Sequence, residues 1–377
     1  MISSIPSRFL RNFAALAAAS SAVGCGGERV RPTYVEGSPP RELSAWGQLD
    51  LASSELRLAA GVEPYALNTA LFSDYAGKLR TIWTPDGTSA AYDESDVFDF
   101  PVGTVITKTF YYLENADGSV SPADPEAPAH LGLDLISVRL METRVLVRRE
   151  AGWEAIPYVW NAEETEAVLK PTGAVAPLTL VAGGERTDFA YLVPNRNQCA
   201  GCHMTNATTR ALSPIGPKAR HLNRDLEYAD GPENQIARLV RAGVLDGAPT
   251  PETAPRAAVW TDASEPLEAR ARAYLDINCA HCHSDVGPAD TSGLDLSHDA
   301  PLDRSFGLCK LPIAAAQGTG GRKVDIAPGD PDASILVYRM ESTNPAEMMP
   351  ELGRATTHAE GVDLIRAWVA ALQGACA

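Results

Sequence analysis

The chain has 377 residues, enough for two or three domains, and is 45% hydrophobic and 21% charged, which excludes a disordered or collagen-like chain. Its net charge of −16, from 32 Lys+Arg against 48 Asp+Glu, excludes the basic face that nucleic-acid phosphates require. The acidity serves solubility or offers an acidic face to a basic partner.

Arg8 and Arg11 precede a small apolar run, Ala14 to Val23, too short to span a bilayer. It ends in Ala22-Val23-Gly24-Cys25. A small residue before a cysteine at that place resembles a bacterial lipoprotein signal, although Ala22 stands where Leu is more usual. Residues 1–24 are therefore expected to direct export and to be removed. Cys25 then becomes a lipidated N-terminus on the periplasmic side of a bacterial membrane, with membrane contact through that anchor alone. Ordinary cleavage nearby would instead leave Cys25 a spare thiol. Residues 25–47, with recurrent Gly and Pro, read as a tether.

Residues 48–193 carry strand patterns. Thr104 to Tyr111 is β-branched and aromatic, and Arg139 to Arg149 alternates Met141, Thr143, Val145 and Val147 with Glu142, Arg144 and Arg148. Ala155 to Trp160, Val168-Leu169 and Phe189 to Val193 are further strands, and Pro85-Asp86-Gly87, Asp117-Gly118 and Gly183-Gly184 are turns. The expectation is an N-terminal antiparallel β domain, a sandwich. Trp83, Tyr111, Tyr112, Trp153, Tyr158 and Trp160 either fill its core or line a sugar or aromatic site.

Cys199-Ala200-Gly201-Cys202-His203 is C-x-x-C-H, and Cys279-Ala280-His281-Cys282-His283 repeats it. This is the pattern of covalent c-type haem attachment: each cysteine forms a thioether to the porphyrin and the histidine becomes the proximal iron ligand. A four-cysteine zinc site keeps its pairs about 15–20 residues apart, whereas 76 residues separate these. A thioredoxin-type dithiol needs a βαβ context that the sequence lacks. Two covalent haems are expected, one in a segment over 194–255 and one in a domain over 256–377.

Around the first motif, Pro214-Ile215-Gly216-Pro217 is a rigid turn, and Asp230-Gly231-Pro232 opens a helix with Ile236, Leu239 and Val240 that closes at Gly243. Before the second motif, Ser264 caps a helix starting near Glu265-Pro266, with Leu267, Ala271, Tyr274 and Leu275 on one face. Asp330-Pro331 opens another, with Ile335, Leu336 and Tyr338. Thr357 and Glu360 form a capping box for a last helix bearing Leu364, Ile365, Trp368, Val369 and Leu372. A helix leading into C-x-x-C-H and an aromatic terminal helix resemble the class I cytochrome c plan, in which the two helices cross beside the haem. The fold class expected overall is α+β and multidomain: the β domain, then mostly α-helical haem-binding segments ending in a class I cytochrome c-like domain.

The second haem needs a sixth ligand from the loop before the terminal helix. Met349, directly followed by Pro350, is favoured over its neighbour Met348, while Met340 falls within a helix. His/Met ligation raises the potential relative to His/His. For the first haem, Met204 follows proximal His203 too closely to reach the opposite face. His221, His130 of the β domain, or an open site remain. Cys309 and Cys376, 67 residues apart and outside both motifs, are expected to form a disulfide in an oxidising compartment.

The runs Asn68 to Tyr75, Pro157 to Asn161, Pro194 to His203, Pro214 to Asn223, Tyr274 to His283 and Met348 to Gly353 together resemble a family of exported dihaem c-type cytochromes. The resemblance covers nearly the whole mature chain. It implies two covalent haems and electron transfer and supplies no substrate; the expected partners are redox proteins, donor and acceptor unspecified, and an electron-transfer protein is favoured over an enzyme. The alternatives are a dihaem peroxidase-like enzyme with an open first haem, the haem subunit of a membrane-anchored dehydrogenase, and a sugar-binding module with electron-transfer appendages.

Overall fold

The computed structural model describes residues 30–52, 54–123, 132–313 and 315–376; the leader, Cys25 and His130 lie outside the described residues. The short strands β1 (Leu49–Ala52), β2 (Glu55–Leu58) and β3 (Glu63–Tyr65) lead into β4 (Gly77–Trp83) and β5 (Ala90–Ala91). The long strands follow: β6 (Val105–Glu114), then after β7 (Val120–Ser121) and β8 (Leu133–Asp134), β9 (Val138–Arg149) and β10 (Gly152–Trp160). β11 (Ala167–Leu169), β12 (Ala174–Ala182) and β13 (Glu185–Val193) complete this half.

One nine-stranded sheet dominates. Its order is β11-β10-β9-β6-β7-β12-β13, with β4 also paired to β6, and β3 to β4. Successive side chains in a strand point to opposite faces, so each face can carry its own core. On one face Val105, Val145, Val147 and Ile156 pack under Trp46, Leu49, Leu56 and Leu133, three of these from the small sheet β1-β2-β8 or its approach. Threonines tie the central strands together: Thr81 to Thr107 at 2.6 Å and Thr109 to Thr143 at 2.7 Å, with Trp160 Nε1 donating to Thr143 at 3.0 Å. On the other face Ile82, Ile106, Leu146 and Ala155 pack against Cys199, Leu222, Ile236 and Ile277 from the second half of the chain.

That second half holds helices α1 (Arg196–His203), α2 (Ala219–Leu222), α3 (Gln235–Arg241), α4 (Leu267–Leu275), α5 (Ile335–Glu341) and α6 (Ala359–Ala371). It also holds the hairpin β14 (Asp225–Tyr228) and β15 (Gly231–Asn234), and β16 (Leu245–Asp246), which pairs with β5. A last core gathers Trp260, Tyr274, Leu275, Phe306, Val337, Ile365 and Trp368 around the packed α4 and α6. Gly361 makes that helix contact close, since a Cβ there would lie 2.3 Å from Tyr274 Oη. Cys309 and Cys376 are joined by a disulfide, their Cα atoms 5.2 Å apart.

The expected fold class is corrected. The structure is mainly β, 28% strand against 19% helix, so neither mostly α-helical haem-binding segments nor a class I cytochrome c-like domain describes residues 194–377. Its helices are short and separated by long irregular stretches. Between the second motif and α5, Gly and Pro recur (Gly287, Pro288, Gly293, Pro301), and among the described residues the helical pieces there are short 3-10 turns, beside two isolated bridges, Leu308 to Ile326 and Val324 to Ser334. Nor is the β half a sandwich of comparable sheets: a three-stranded sheet covers part of one face of a nine-stranded one.

Several local expectations change as well. Ser264 bonds to Asp262 at 2.7 Å and caps nothing; α4 starts at Leu267 after Pro266. Thr357 donates to the Glu341 carbonyl and Glu360 accepts from Tyr75, so the proposed capping box is spent on tertiary bonds. The Asp330-Pro331 turn precedes α5 by several residues. Gly231-Pro232 belongs to a hairpin, and Asn234 caps α3 instead. Trp83, Tyr111, Tyr112, Tyr158 and Trp160 are buried, and Trp153 packs edge-on against Phe100, so the six aromatics form no open sugar platform.

Candidate functional site

The first motif rides on α1, which opens with a reciprocal cap: Asn195 accepts from the Gln198 N–H at 2.8 Å and Gln198 from the Asn195 N–H at 2.9 Å. Three-residue spacing on a helix puts Cys199 and Cys202 on one face. His203 Nδ1 lies 2.8 Å from the Ser213 carbonyl. A carbonyl only accepts, so Nδ1 carries the proton and Nε2 keeps its lone pair, the arrangement of a metal-binding imidazole. Burial, then Lys108, pulls this imidazole down to about 3, so it is neutral at pH 7.

The second motif follows α4 through a wider π turn, Asp276–Ala280, a departure common at functional sites. His283 Nδ1 is 3.1 Å from Ser292 Oγ, whose own hydrogen goes to the Ala289 carbonyl at 2.7 Å. The hydroxyl therefore accepts, and His283 too is left with a free Nε2. The motifs abut: Cys282 Sγ lies 3.5 Å from the Gly201 carbonyl. All four motif cysteines are free thiols, and among the described residues no three His, Cys, Asp or Glu side chains converge on a metal-sized site, so the pairs do not form a zinc knot.

Each motif histidine lines a cavity. His203 lines a cleft of about 130 Å³ between the sheet and the second half of the chain, with Cys199, Cys202, Pro214, Arg80, Lys108 and Arg144. His283 lines a cavity of about 420 Å³ with Cys279, Cys282, Leu296, Leu336 and Met349. Met349 and Met340 line both, whereas Met348 is buried and lines neither. The Met349 loop is held by Arg354, whose guanidinium donates to the carbonyls of Met349 at 2.9 Å, Ser342 at 2.8 Å and Thr356 at 3.0 Å.

His221 lies elsewhere. It is buried, and its Nε2 bonds Asp276 at 2.7 Å beside Arg220, which grips the same carboxylate at 2.8 and 3.1 Å. Burial alone would raise the Asp276 carboxyl, but His221 and Arg220 hold it well below the ordinary carboxylate range. The network fastens α2 beneath the second motif, and His221 does not line the His203 cleft. Two other histidines do: His281, the middle residue of the second motif, and His358, stacked on Phe72 at 4.2 Å.

In the sequence, Asn68 to Tyr75 counted only toward the family resemblance, yet it links all three parts of the chain. Asn68 Nδ2 donates to the carbonyls of Arg220, Asn223 and Ala257. The Phe72 N–H donates to Asn278 beside Cys279. Asp74 accepts from the N–H groups of Ala355 and Thr356. Also missed were Arg80, Lys108 and Arg144, whose available signal was a charge at the inward-facing position of three central strands. Burial, then Arg144 and Arg80, pulls Lys108 down to about 7.

No protein-family model, curated protein or solved structure matches this chain.

Proposed function

We propose that the chain is an exported dihaem c-type cytochrome that passes electrons between redox partner proteins. The observation that carries this reading is the paired motif. Two C-x-x-C-H sequences each leave both thiols free, tie histidine Nδ1 to a neutral acceptor, and line a cavity with that histidine. Haem c, when bound, supplies one-electron iron chemistry. The chain's residues do the rest. Cys199 and Cys202, and Cys279 and Cys282, would hold the two groups, with His203 and His283 as proximal ligands. Met349, on the loop held by Arg354, would supply a further ligand to the second. The contact between Cys282 and Gly201 puts the two attachment sites side by side, which favours transfer between them. Export and a lipid anchor at Cys25 belong to the same reading and rest on the leader sequence.

Mass spectrometry of mature protein made in cells with the haem-attachment machinery should show two added haem masses, and a redox titration followed by absorption should resolve two one-electron steps. A mature chain without added haem would refute the proposal. Carbon monoxide binding to the reduced protein would favour a peroxidase-like enzyme over an electron carrier.

A further inference from the structure

Three cations stand side by side on neighbouring strands of the main sheet. Arg80 on β4 is directly opposite Lys108 on β6, and Lys108 is directly opposite Arg144 on β9. Like charges placed so repel and destabilise a sheet unless an anion lies over them. All three line the His203 cleft. One internal anion answers them: fully buried Glu142 is paired to Arg144 and also accepts from Tyr191 at 2.9 Å. The Asp74 carboxylate is occupied by Ala355 and Thr356. Arg80 is only 4% exposed, yet among the described residues the side chains of Arg80 and Lys108 donate no hydrogen bond, and Lys108 Nζ meets only the Phe110 ring at 5.1 Å. Leaving buried Arg80 and half-buried Lys108 without a counter-charge is costly, so the row suits an anion.

We infer that Arg80, Lys108 and Arg144 form the seat for a pair of carboxylates in the His203 cleft, and that these are the two propionates of the first haem. The inference rests on the dihaem reading and adds to it which wall of the cleft receives the polar edge. The sign of the charge matches, since the cations facing the cleft outnumber Glu142. The geometry matches as well, with His203 and both thiols lining the cleft that the row faces. A free dianionic substrate offers the same chemistry, and the test separates the two.

The test uses full-length holoprotein, with the two midpoints resolved by spectroelectrochemistry. Cations beside propionates raise a haem's potential by offsetting charge that favours ferric iron. R80Q/K108M should therefore lower the first midpoint by about 59 mV or more, a tenfold change for a one-electron couple, and leave the second in place. R80K/K108R, which keeps both charges, should hold the wild-type value. Loss of the first haem from R80Q/K108M but not from R80K/K108R would equally support the seat. Unchanged midpoints with both haems attached would overturn it. So would a shift of the wild-type first midpoint on adding inorganic phosphate that R80Q/K108M abolishes, since the row would then hold a free anion. Wild-type protein lacking covalent haem would refute the dihaem reading itself and this assignment with it, an outcome distinct from unchanged midpoints.

Discussion

Met349 and Arg354 act as a pair. The methionine lines the second cavity, and the arginine pins its carbonyl and those of Ser342 and Thr356. Met349→Ala should abolish the near-infrared methionine-to-iron band of the holoprotein and lower the second midpoint, while Met348→Ala should leave both unchanged. Arg354→Met should weaken the same band with the methionine still present, because the carbonyls of Arg339, Ser342, Met349 and Thr356 lose this donor and the loop loses its fixed position. His358 reports on pH. Burial, offset in part by Glu360 and reinforced by Lys78, pulls it from 6.5 to about 4. Below pH 6.5 the unfolded chain takes a proton here that the folded chain refuses until about pH 4. The stabilisation is therefore complete above pH 6.5 and declines between these values, by up to about 1.4 kcal/mol per pH unit. Chemical denaturation at pH 7 and pH 5 should show a smaller loss for His358→Phe than for wild type; equal losses would remove His358 from the account.

At the scale of elements, the contact between α4 and α6 depends on a residue without a side chain. Gly361→Ala would press a methyl onto Tyr274, and overpacking of this kind costs about 1–3 kcal/mol. A denaturation midpoint that does not move would show that the helices separate at little cost. The Asn68 to Tyr75 segment offers a second check. Asn68→Ala strips the donor from three buried or half-buried carbonyls and should cost at least about 2 kcal/mol. Thermal unfolding would measure this, with the sheet's circular dichroism retained below the transition.

The whole molecule is held together by contacts distant in sequence. The back of the sheet and the first motif share one core, β5 pairs with β16, and the disulfide ties Cys309 to Cys376 across 67 residues. Replacing both cysteines by serine should lower stability by about 4 kcal/mol in the chain-entropy account, while the absorption spectrum of the holoprotein stays as it was. A changed spectrum would mean that the bridge also shapes the second cavity.

The two C-x-x-C-H motifs were legible in the linear chain, because their residues stand three and four positions apart and local spacing carries that information. The long strands were legible for a similar reason: the alternation in Arg139 to Arg149 and in Ala155 to Trp160 repeats every two residues and foretells β9 and β10. Helix starts were less so. Ser264, Thr357 and Glu360 have the composition of caps, but their side chains satisfy distant or non-helical partners, a choice made only after folding. The helical content after residue 194 was over-read, since apolar spacing over seven to thirteen residues does not reveal how much loop the Gly and Pro residues impose between such pieces. Three matters were decided by tertiary structure alone. His221 faces Asp276 and not the first cleft, the two motifs meet at Gly201 and Cys282, and Arg80, Lys108 and Arg144 align across three strands. Each depends on strand register or on packing between segments 55 or more residues apart, or on neighbours in a sheet that are not neighbours in sequence. Local spacing holds no record of those distances, because they are set by which apolar faces find each other when the chain collapses.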